Sequence, residues 1–307
     1  MTKVFVDGSA GTTGLRIVDR LSQREDLELL ILSDEMRKDT TARADALATA
    51  DIAFLCLPDD AAKESAALAK GMKVKIIDTS TAHRVDPDWV YGMPELAGQA
   101  QKILASSRIA NPGCHASGFV ALVAPLVAQG ILPADISLSC FSLTGYSGGG
   151  KKMIAQYQAA DRSPLLNGPR QYALSQTHKH LKEMVTVSGL TAAPVFCPIV
   201  GDFYSGMEVT VPLFAKDIKG SIADIKALYR DYYQGGLIHY HDQTDPDGML
   251  SAAAFSMRDD MEVSVYGNED RILLVSRFDN LGKGASGAAI QNMNILLGVD
   301  EATGLNV

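Results

Sequence analysis

The sequence predicts an α/β chain in two parts, a doubly wound parallel sheet followed by an α+β domain on a mostly antiparallel sheet. Three observations carry this expectation. Strand-like apolar runs alternate with helical patterns through the first third of the chain, and a glycine-spaced turn joins the first strand to the first helix. Beyond Gly130 the strands change to inside-out alternation, as in Met207-Glu208-Val209-Thr210-Val211-Pro212-Leu213, the pattern of a sheet with one covered face. The expected boundaries are residues 1–114 and 115–283, with a C-terminal helix over 284–307 returning to complete the first part.

Residues 4–7 read as a buried strand, and Gly8-Ser9-Ala10-Gly11-Thr12-Thr13-Gly14 then leads into residues 15–21, apolar at helical spacing. The spacing is G-x-x-G-x-x-G rather than G-x-G-x-x-G. The physics is the same: backbone free of side chains approaches a pyrophosphate, whose charge faces a helix N-terminus. A tight strand-to-helix turn needs glycine in any case, so it is the position directly after the first strand that points to a Rossmann-type dinucleotide domain.

A second strand, residues 27–32, ends in Ser33-Asp34-Glu35-Met36-Arg37-Lys38, where such a domain reads the adenosine ribose. Asp34 could accept from a free 2′-hydroxyl and favour NAD, whereas Ser33, Arg37 and Lys38 could surround a 2′-phosphate and favour NADP. The residues leave both open, and plain solvated loop charges fit the spacing as well. Strands at 52–57 and 74–78 flank an Ala-rich helix over about 60–70. Their ligand-side ends carry Pro58-Asp59 and Asp78-Thr79-Ser80-Thr81-Ala82-His83-Arg84, in which Arg84 is either a surface arginine or an anion clamp with a fork suited to carboxylate or phosphate.

The candidate reactive group follows. Asn111-Pro112-Gly113 is turn chemistry, and the small and apolar residues after it, through Val127, read as a helix that puts Cys114 at its N-terminus. Unpaired N–H groups and the helix dipole favour a thiolate there, while a free thiol has a pKa near about 8.5. The competing reading is a small buried hydrophobe. Cys56, Cys140 and Cys197 lie in β-like runs and read as core; no C-x-x-C pair occurs, so neither a disulfide framework nor a metal site is expected.

In the second part, residues 136–143, 194–200, 207–214, 261–266 and 272–278 read as strands, and Thr144-Gly145-Tyr146-Ser147-Gly148-Gly149-Gly150 reads as an ordered polar turn before a helix over 153–160. His178-Lys179-His180-Leu181-Lys182-Glu183 reads as a helix on which Glu183 stands one turn from His180 and can orient it as acid or base; a His/Lys-rich surface helix is the alternative. His239-Tyr240-His241 alternates on a strand with no further ligand and reads as structure. Asp279 to Gly287 is rich in small residues and leads into the last helix.

Composition narrows the classes. The chain has 307 residues, 47% hydrophobic and 21% charged, with a net charge of −8 and no long basic run, which argues against nucleic acid or an anionic membrane as the main partner. The longest apolar run, residues 119–127, is broken by Pro125 and too short to span a bilayer, and no signal peptide is visible; the expected location is the cytoplasm.

With these motifs in order, the chain resembles the N-acetyl-gamma-glutamyl-phosphate reductases in their shorter form, within a wider family that includes aspartate-semialdehyde dehydrogenase. The resemblance runs through Gly8 to Gly14, Asp78 to Arg84, Tyr91-Gly92-Met93-Pro94-Glu95-Leu96, Asn111 to Cys114, Gly145 to Gly149, His178 to Glu183 and Asp279 to Asn294. It departs after the cysteine, where His115-Ala116-Ser117 replaces an aromatic-Pro pair usual in the longer form. The resemblance implies reduction of a small acyl phosphate by NADPH through a thioester on Cys114, with His180, oriented by Glu183, moving protons and His178 the alternative base. It implies Arg84, Asn111 and Ser147 for substrate, and Gly8 to Gly14, Ser33, Arg37, Pro58, Gly148 and Asn280 for the dinucleotide. It also implies a homo-oligomer, dimer or tetramer. Aspartate-semialdehyde dehydrogenase, a reductase acting on a carrier-bound substrate and a non-catalytic dinucleotide sensor stay open beside it.

Overall fold

The computed structural model describes residues 1–307 and falls into two compact units, Met1–Gly113 with Ala285–Asn306, and Cys114–Gly284 with Val307. The first unit runs β1 (Thr2–Asp7), α1 (Thr12–Leu21), β2 (Leu27–Leu30), α2 (Thr40–Thr49), β3 (Ile52–Leu55), α3 (Asp59–Leu68), β4 (Lys75–Asp78), β5 (Val90–Tyr91), α4 (Gln99–Ala105) and β6 (Arg108–Ala110). The sheet order is β2-β1-β3-β4-β6-β5 and every pairing is parallel. The chain therefore leaves β1 on one side and returns on the other, and the carboxyl ends of β1 and β3 flank the switch point where such sheets take ligands.

Both faces are covered, which is why the central strands carry apolar residues on both sides. Val4, Val6, Phe54, Ile77 and Ile109 pack on one side with Ile17, Leu21 and the last helix, and Phe5, Ala53, Leu55 and Ile76 on the other with Leu47 and Ala62. The last helix of the chain, Gly287–Leu297, gives Ile290 and Met293 to the first of these cores. It stops at Gly298, with φ +70°, rather than continuing through the C-terminal residues, and Asn294 donates to the carbonyls of Glu301 and Thr303 to hold the tail. The expected strands at 27–32 and 52–57 end two residues sooner, at Leu30 and Leu55.

The second unit runs α5 (Cys114–Ala128), β7 (Ser139–Gly145), α6 (Gly150–Gln158), β8 (Arg170–Gln171), α7 (His180–Ser188), β9 (Val195–Gly201), β10 (Met207–Phe214), α8 (Ile222–Tyr232), β11 (Ile238–Tyr240), β12 (Met261–Gly267) and β13 (Arg271–Phe278); the helix at Gly287–Leu297 is α9. Its sheet order is β11-β12-β13-β10-β7-β9-β8, with β7/β9 and β11/β12 parallel and the other pairs antiparallel. Thr144 to Gly150 is ordered, as a strand end and a short 3₁₀ turn.

α5 is buried from His115 to Leu126 and lies against one face of this sheet, where a Cβ on Gly118 would come within 2.6 Å of Val209 and 2.7 Å of the Ser276 hydroxyl. Gly118 is what lets the helix approach so closely. Pro125 has no N–H to give the carbonyl of Ala121 one turn back, and Tyr233 supplies the missing donor, Oη to Ala121 O at 2.6 Å, while Tyr229 bonds the next carbonyl, of Leu122. A polar interruption is thus absorbed inside an apolar helix.

The opposite face of the same sheet is open over much of its area. Phe141, Val195, Phe214 and Leu273 alternate with the inward set and are exposed. At the β12–β13 end this face is closed instead by ions: Arg277 donates to Glu262 at 2.8 and 3.1 Å and to Asp245 at 2.7 Å, with Phe255 against its guanidinium. No helix is long and apolar enough to cross a membrane.

Candidate active site

In the first unit the glycine turn is built for close approach. Gly8 has φ +89°, and a Cβ there would sit 2.3 Å from the Cys56 carbonyl oxygen; only glycine fits. A Cβ at Gly11 would meet nothing closer than 3.5 Å, so this position leaves open space beside the turn where Gly8 seals a contact. α1 begins at Thr12 with no side-chain cap and no acidic residue in its first turn, leaving its N–H groups to an external anion. Ser9, Ala10 and Thr13 complete this turn and first helical turn, which fit a dinucleotide pyrophosphate. Pro58 is the residue that caps α3 beyond β3, and Cys56 just before it has its thiol pushed up to about 12 by burial. Ser33 opens a turn closed by Met36 and Arg37, and Arg37 pairs with Asp34 at 3.2 Å, so the two rival ribose readers bind each other at the surface.

Arg84 is anchored from both sides, Nε to Asn111 O at 2.9 Å and Nη2 to Thr79 O at 3.0 Å. The loop that carries it is held by buried Asp78, which takes Ser80 Oγ at 2.8 Å and His83 Nδ1 at 2.6 Å, and His83 stacks on Trp89. Asn111 is buried and its amide is committed: Nδ2 donates to Ala285 O at 3.0 Å and Oδ1 accepts from Asn292 at 3.3 Å. Its contribution to a site runs through the carbonyl that holds Arg84.

In the second unit Cys114 is the first residue of α5 and is partly exposed, whereas His115 and Ser117 beside it are buried. No acidic residue stands in that first turn to oppose a thiolate. The structure brings His180 to it: Cys114 Sγ and nitrogens of His115 and His180 all lie within 4.8 Å of one another. Glu183 is buried one turn along α7 from His180. His178, expected on this helix, lies ahead of it, and its Nδ1 accepts the backbone N–H of His180 at 3.3 Å. Burial and then the neighbouring Lys179 charge hold the His178 imidazole below its usual range.

Ser147, Gly148 and Asn280 form a second cluster. Asn280 donates to Ser147 Oγ at 3.0 Å and accepts from the backbone of Gly206 at 3.0 Å. Buried Asp279 fixes this corner by accepting from the N–H groups of Leu281 and Gly282 and from Ser205 Oγ.

Two residues escaped the sequence reading. His115 is bonded through both nitrogens, Nδ1 to Ser142 Oγ and Nε2 to Tyr172 Oη, each at 2.7 Å. Burial, aided by His178, drives its pKa down to about 3, and burial followed by the Cys114 charge drives that of Tyr172 up. The adjacency of His115 to Cys114 was visible, but Ser142 and Tyr172 lie 27 and 57 residues away and carry no local signal. A metal held by Cys114, His115 and His180 would have to displace one of those 2.7 Å bonds, so the donor set favours proton chemistry at a thiol.

Fold and site together define a dinucleotide-dependent oxidoreductase with a thiol at the head of its second domain. Residues 3–104 match the family model described as semialdehyde dehydrogenase, NAD binding domain, and residues 114–280 match semialdehyde dehydrogenase, dimerisation domain. The chain is 45% identical over 318 residues to N-acetyl-gamma-glutamyl-phosphate reductase 2 of Nostoc sp., covering 99% of each, and 45% identical over 306 residues to N-acetyl-gamma-glutamyl-phosphate reductase of Brucella ovis, covering 96% of this chain and 99% of that one. Among solved structures, aspartate semialdehyde dehydrogenase II from Vibrio cholerae superposes with a TM-score of 0.74 at 17% identity, over 96% of this chain and 98% of that one, a likeness of fold. The chain belongs to the semialdehyde dehydrogenase family, in its N-acetyl-gamma-glutamyl-phosphate reductase branch.

Proposed function

We propose that this chain reduces N-acetyl-gamma-glutamyl phosphate to N-acetylglutamate semialdehyde and phosphate in arginine biosynthesis, in the cytoplasm, with NADPH as the reductant. The observation that carries the reading is the placement of Cys114 at the head of α5 with an imidazole nitrogen of His180 within 4.8 Å of its sulfur. The thiolate attacks the acyl carbon, the C–S bond forms, and the acyl–oxygen bond breaks to release phosphate, leaving a thioester. NADPH supplies the hydride that reduces this thioester. His180, on the same helical turn as Glu183, takes the thiol proton in the first half and returns a proton as the aldehyde leaves, so the thiol is regenerated. Backbone donors at the head of α5 stabilise the oxyanion.

Arg84, steadied by Thr79 and the carbonyl of Asn111, holds phosphate or carboxylate oxygens of the substrate, with Ser147 as a further polar contact. Gly8 to Gly14, Pro58, Gly148 and Asn280 hold the dinucleotide, and Ser33 and Arg37 select its 2′-phosphate. The chain carries the family's dimerisation domain. We assign the contact between copies to the open sheet face bearing Phe141 and Leu273, giving a homodimer, or a tetramer of such pairs.

The test is reverse turnover: N-acetylglutamate semialdehyde and phosphate with NADP and then NAD, following reduced nicotinamide absorbance in wild type and Cys114→Ala. Phosphate-dependent turnover with NADP, lost in the variant, is expected. Turnover with aspartate semialdehyde alone would move the substrate to the sister activity, and cofactor binding without turnover on either aldehyde would overturn the enzyme reading.

A further inference from the structure

Arg43 and Asp7 belong to none of the groups assigned above, yet they form a buried ion pair at the carboxyl edge of the first sheet. Arg43, in the first turn of α2, and Asp7, the last residue of β1, are 5% and 2% exposed. Three donors converge on one oxygen, Asp7 Oδ2: Arg43 Nε and Nη2, each at 3.1 Å, and Ser65 Oγ of α3 at 2.7 Å. Arg43 Nη2 also reaches Ala61 O at 3.3 Å and Nη1 lies 3.5 Å from Glu64, so α2, α3 and β1 are fixed to one another at this point. A buried ion pair often adds little stability over apolar residues of equal volume, because desolvation offsets the attraction. What the planar fork adds is direction.

The pair joins two segments with separate tasks. Gly8 follows Asp7 directly and begins the turn against Cys56, and the Asp7 carbonyl accepts the Cys56 N–H at 2.8 Å. On the other side, residues 33–43 form a string of turns. Met36 and Arg37 donate to Ser33 O, Asp39 to Met36 O and Arg43 to Asp39 O, while Asp39 Oδ1 caps α2 by accepting the Ala42 N–H. The loop bearing Ser33 and Arg37 is therefore tied by backbone bonds to the residue that Asp7 holds.

We propose that Asp7, Arg43 and Ser65 are positioning residues that set the spacing between the ribose-reading loop, Ser33 to Lys38, and the pyrophosphate turn, Gly8 to Gly14, so that one NADP molecule reaches both. The inference rests on the reading of these two segments as the dinucleotide site. Each of the three residues acts through the segment it holds rather than by touching the cofactor. A ligand with two anionic groups gains from the second contact only where the spacing in the protein matches its own, whereas a ligand that meets the loop alone is indifferent to that spacing.

The experiment compares two such ligands by isothermal titration calorimetry on the full-length protein: NADP, which spans loop and turn, and adenosine 2′-monophosphate, which carries the 2′-phosphate and no pyrophosphate. Arg43→Lys keeps a positive charge beside Asp7 but replaces the fork by a single point, which cannot hold Asp7 and Ala61 together. Its Kd for NADP is expected to rise about tenfold, and that for adenosine 2′-monophosphate to change by less than about twofold. Ser65→Ala, which removes one donor from Asp7, is expected to weaken NADP about threefold and to leave the smaller ligand equally indifferent. A merely structural role lowers the melting temperature and weakens both ligands in proportion, or neither. Equal weakening of the two ligands, or an unchanged Kd for NADP, in a folded Arg43→Lys variant overturns the proposal. Should that variant fail to fold, the same comparison in Ser65→Ala decides. Wild type that binds NADP but ignores adenosine 2′-monophosphate overturns the reading of the loop, and the inference with it; wild type that binds both, beside variants in which both weaken alike, overturns the inference alone.

Discussion

His178 accepts, through Nδ1, the backbone N–H that opens α7 at His180. An imidazole whose Nδ1 lone pair is already committed to that N–H is a poor general base, whereas His180 has a ring nitrogen within 4.8 Å of the thiol. The two imidazoles, of which the sequence offers His180 as the acid or base and His178 as the alternative, therefore separate by role. His178→Asn, which keeps an acceptor for that N–H, is expected to retain kcat within severalfold, and His178→Ala to lose about 1 kcal/mol of stability in urea unfolding, the net worth of one hydrogen bond. His180→Ala is expected to lower kcat by about 10²–10⁴ with KM nearly unchanged. A His178→Asn variant as inactive as His180→Ala would reverse the assignment.

His115 also makes a prediction through stability. Burial holds its folded pKa at about 3, against 6.5 for an ordinary imidazole. Between those values the unfolded chain binds a proton that the folded chain refuses, so stability is lost as pH falls below about 6.5, at up to about 1.4 kcal/mol per unit. The loss flattens near the folded value. Urea midpoints at pH 7, 6 and 5 should fall more steeply in wild type than in His115→Gln; parallel slopes would show that this imidazole takes up a proton in the fold.

The parallel unit was legible because its strands are covered on both faces and read as unbroken apolar runs, and the second sheet because one covered face imposes alternation on β10. The head of α5 was legible too, since Asn111-Pro112-Gly113 stops one element and small residues start another. α2 was not. Its sequence, TTARADALAT, buries just Arg43 and Leu47, and Arg43 is inside because Asp7 at the end of β1 accepts its Nε at 3.1 Å, a pairing 36 residues apart. The same physics hid the Ser142–His115–Tyr172 string: its members come from a helix, a strand and a loop, and the sequence gives no periodicity that joins them.

Cofactor choice turns on an exposed pair. Arg37 meets Asp34 at 3.2 Å with both side chains largely in water, so the bond is weak and a 2′-phosphate can compete with the carboxylate for the guanidinium. Arg37→Ala should raise KM for NADPH about tenfold and leave KM for NADH little changed. Asp34→Asn, which releases Arg37, should leave NADPH binding intact or tighter. If Asp34→Asn instead weakens NADH and Arg37→Ala changes neither KM, the loop reads a free ribose hydroxyl.

The turn before α1 offers a paired test of structure against binding. A side chain at Gly8 meets the Cys56 carbonyl at 2.3 Å and is strained at φ +89°, so Gly8→Ala should destabilise the first unit by more than about 1 kcal/mol. Gly11→Ala meets nothing closer than 3.5 Å, so the fold should keep its melting temperature within a few degrees while dinucleotide binding weakens. Equal loss of stability in both would mean that Gly11 seals the turn rather than leaving room for a ligand.

The exposed sheet face carries the assembly prediction. Leu273 stands opposite Pro212 on β10, and Thr210 on the same strand stands opposite Phe141 on β7, so alternate residues of three adjacent strands lie on one surface. Exposed Phe214 and Val195 extend it along β10 and onto β9. A face that leaves four large apolar side chains exposed, backed by a covered one, is costly in water and favours burial against a like face. A stable contact needs about 800 Å² from each partner, a region the size of several strands. Placing a carboxylate at its middle, as in Leu273→Asp or Phe141→Asp, obliges a charge to be desolvated in any contact made there. Light scattering after size exclusion should then report a smaller species than wild type, with unchanged far-UV circular dichroism and dinucleotide binding. An unaltered mass for both variants would place the contact between copies elsewhere on the chain.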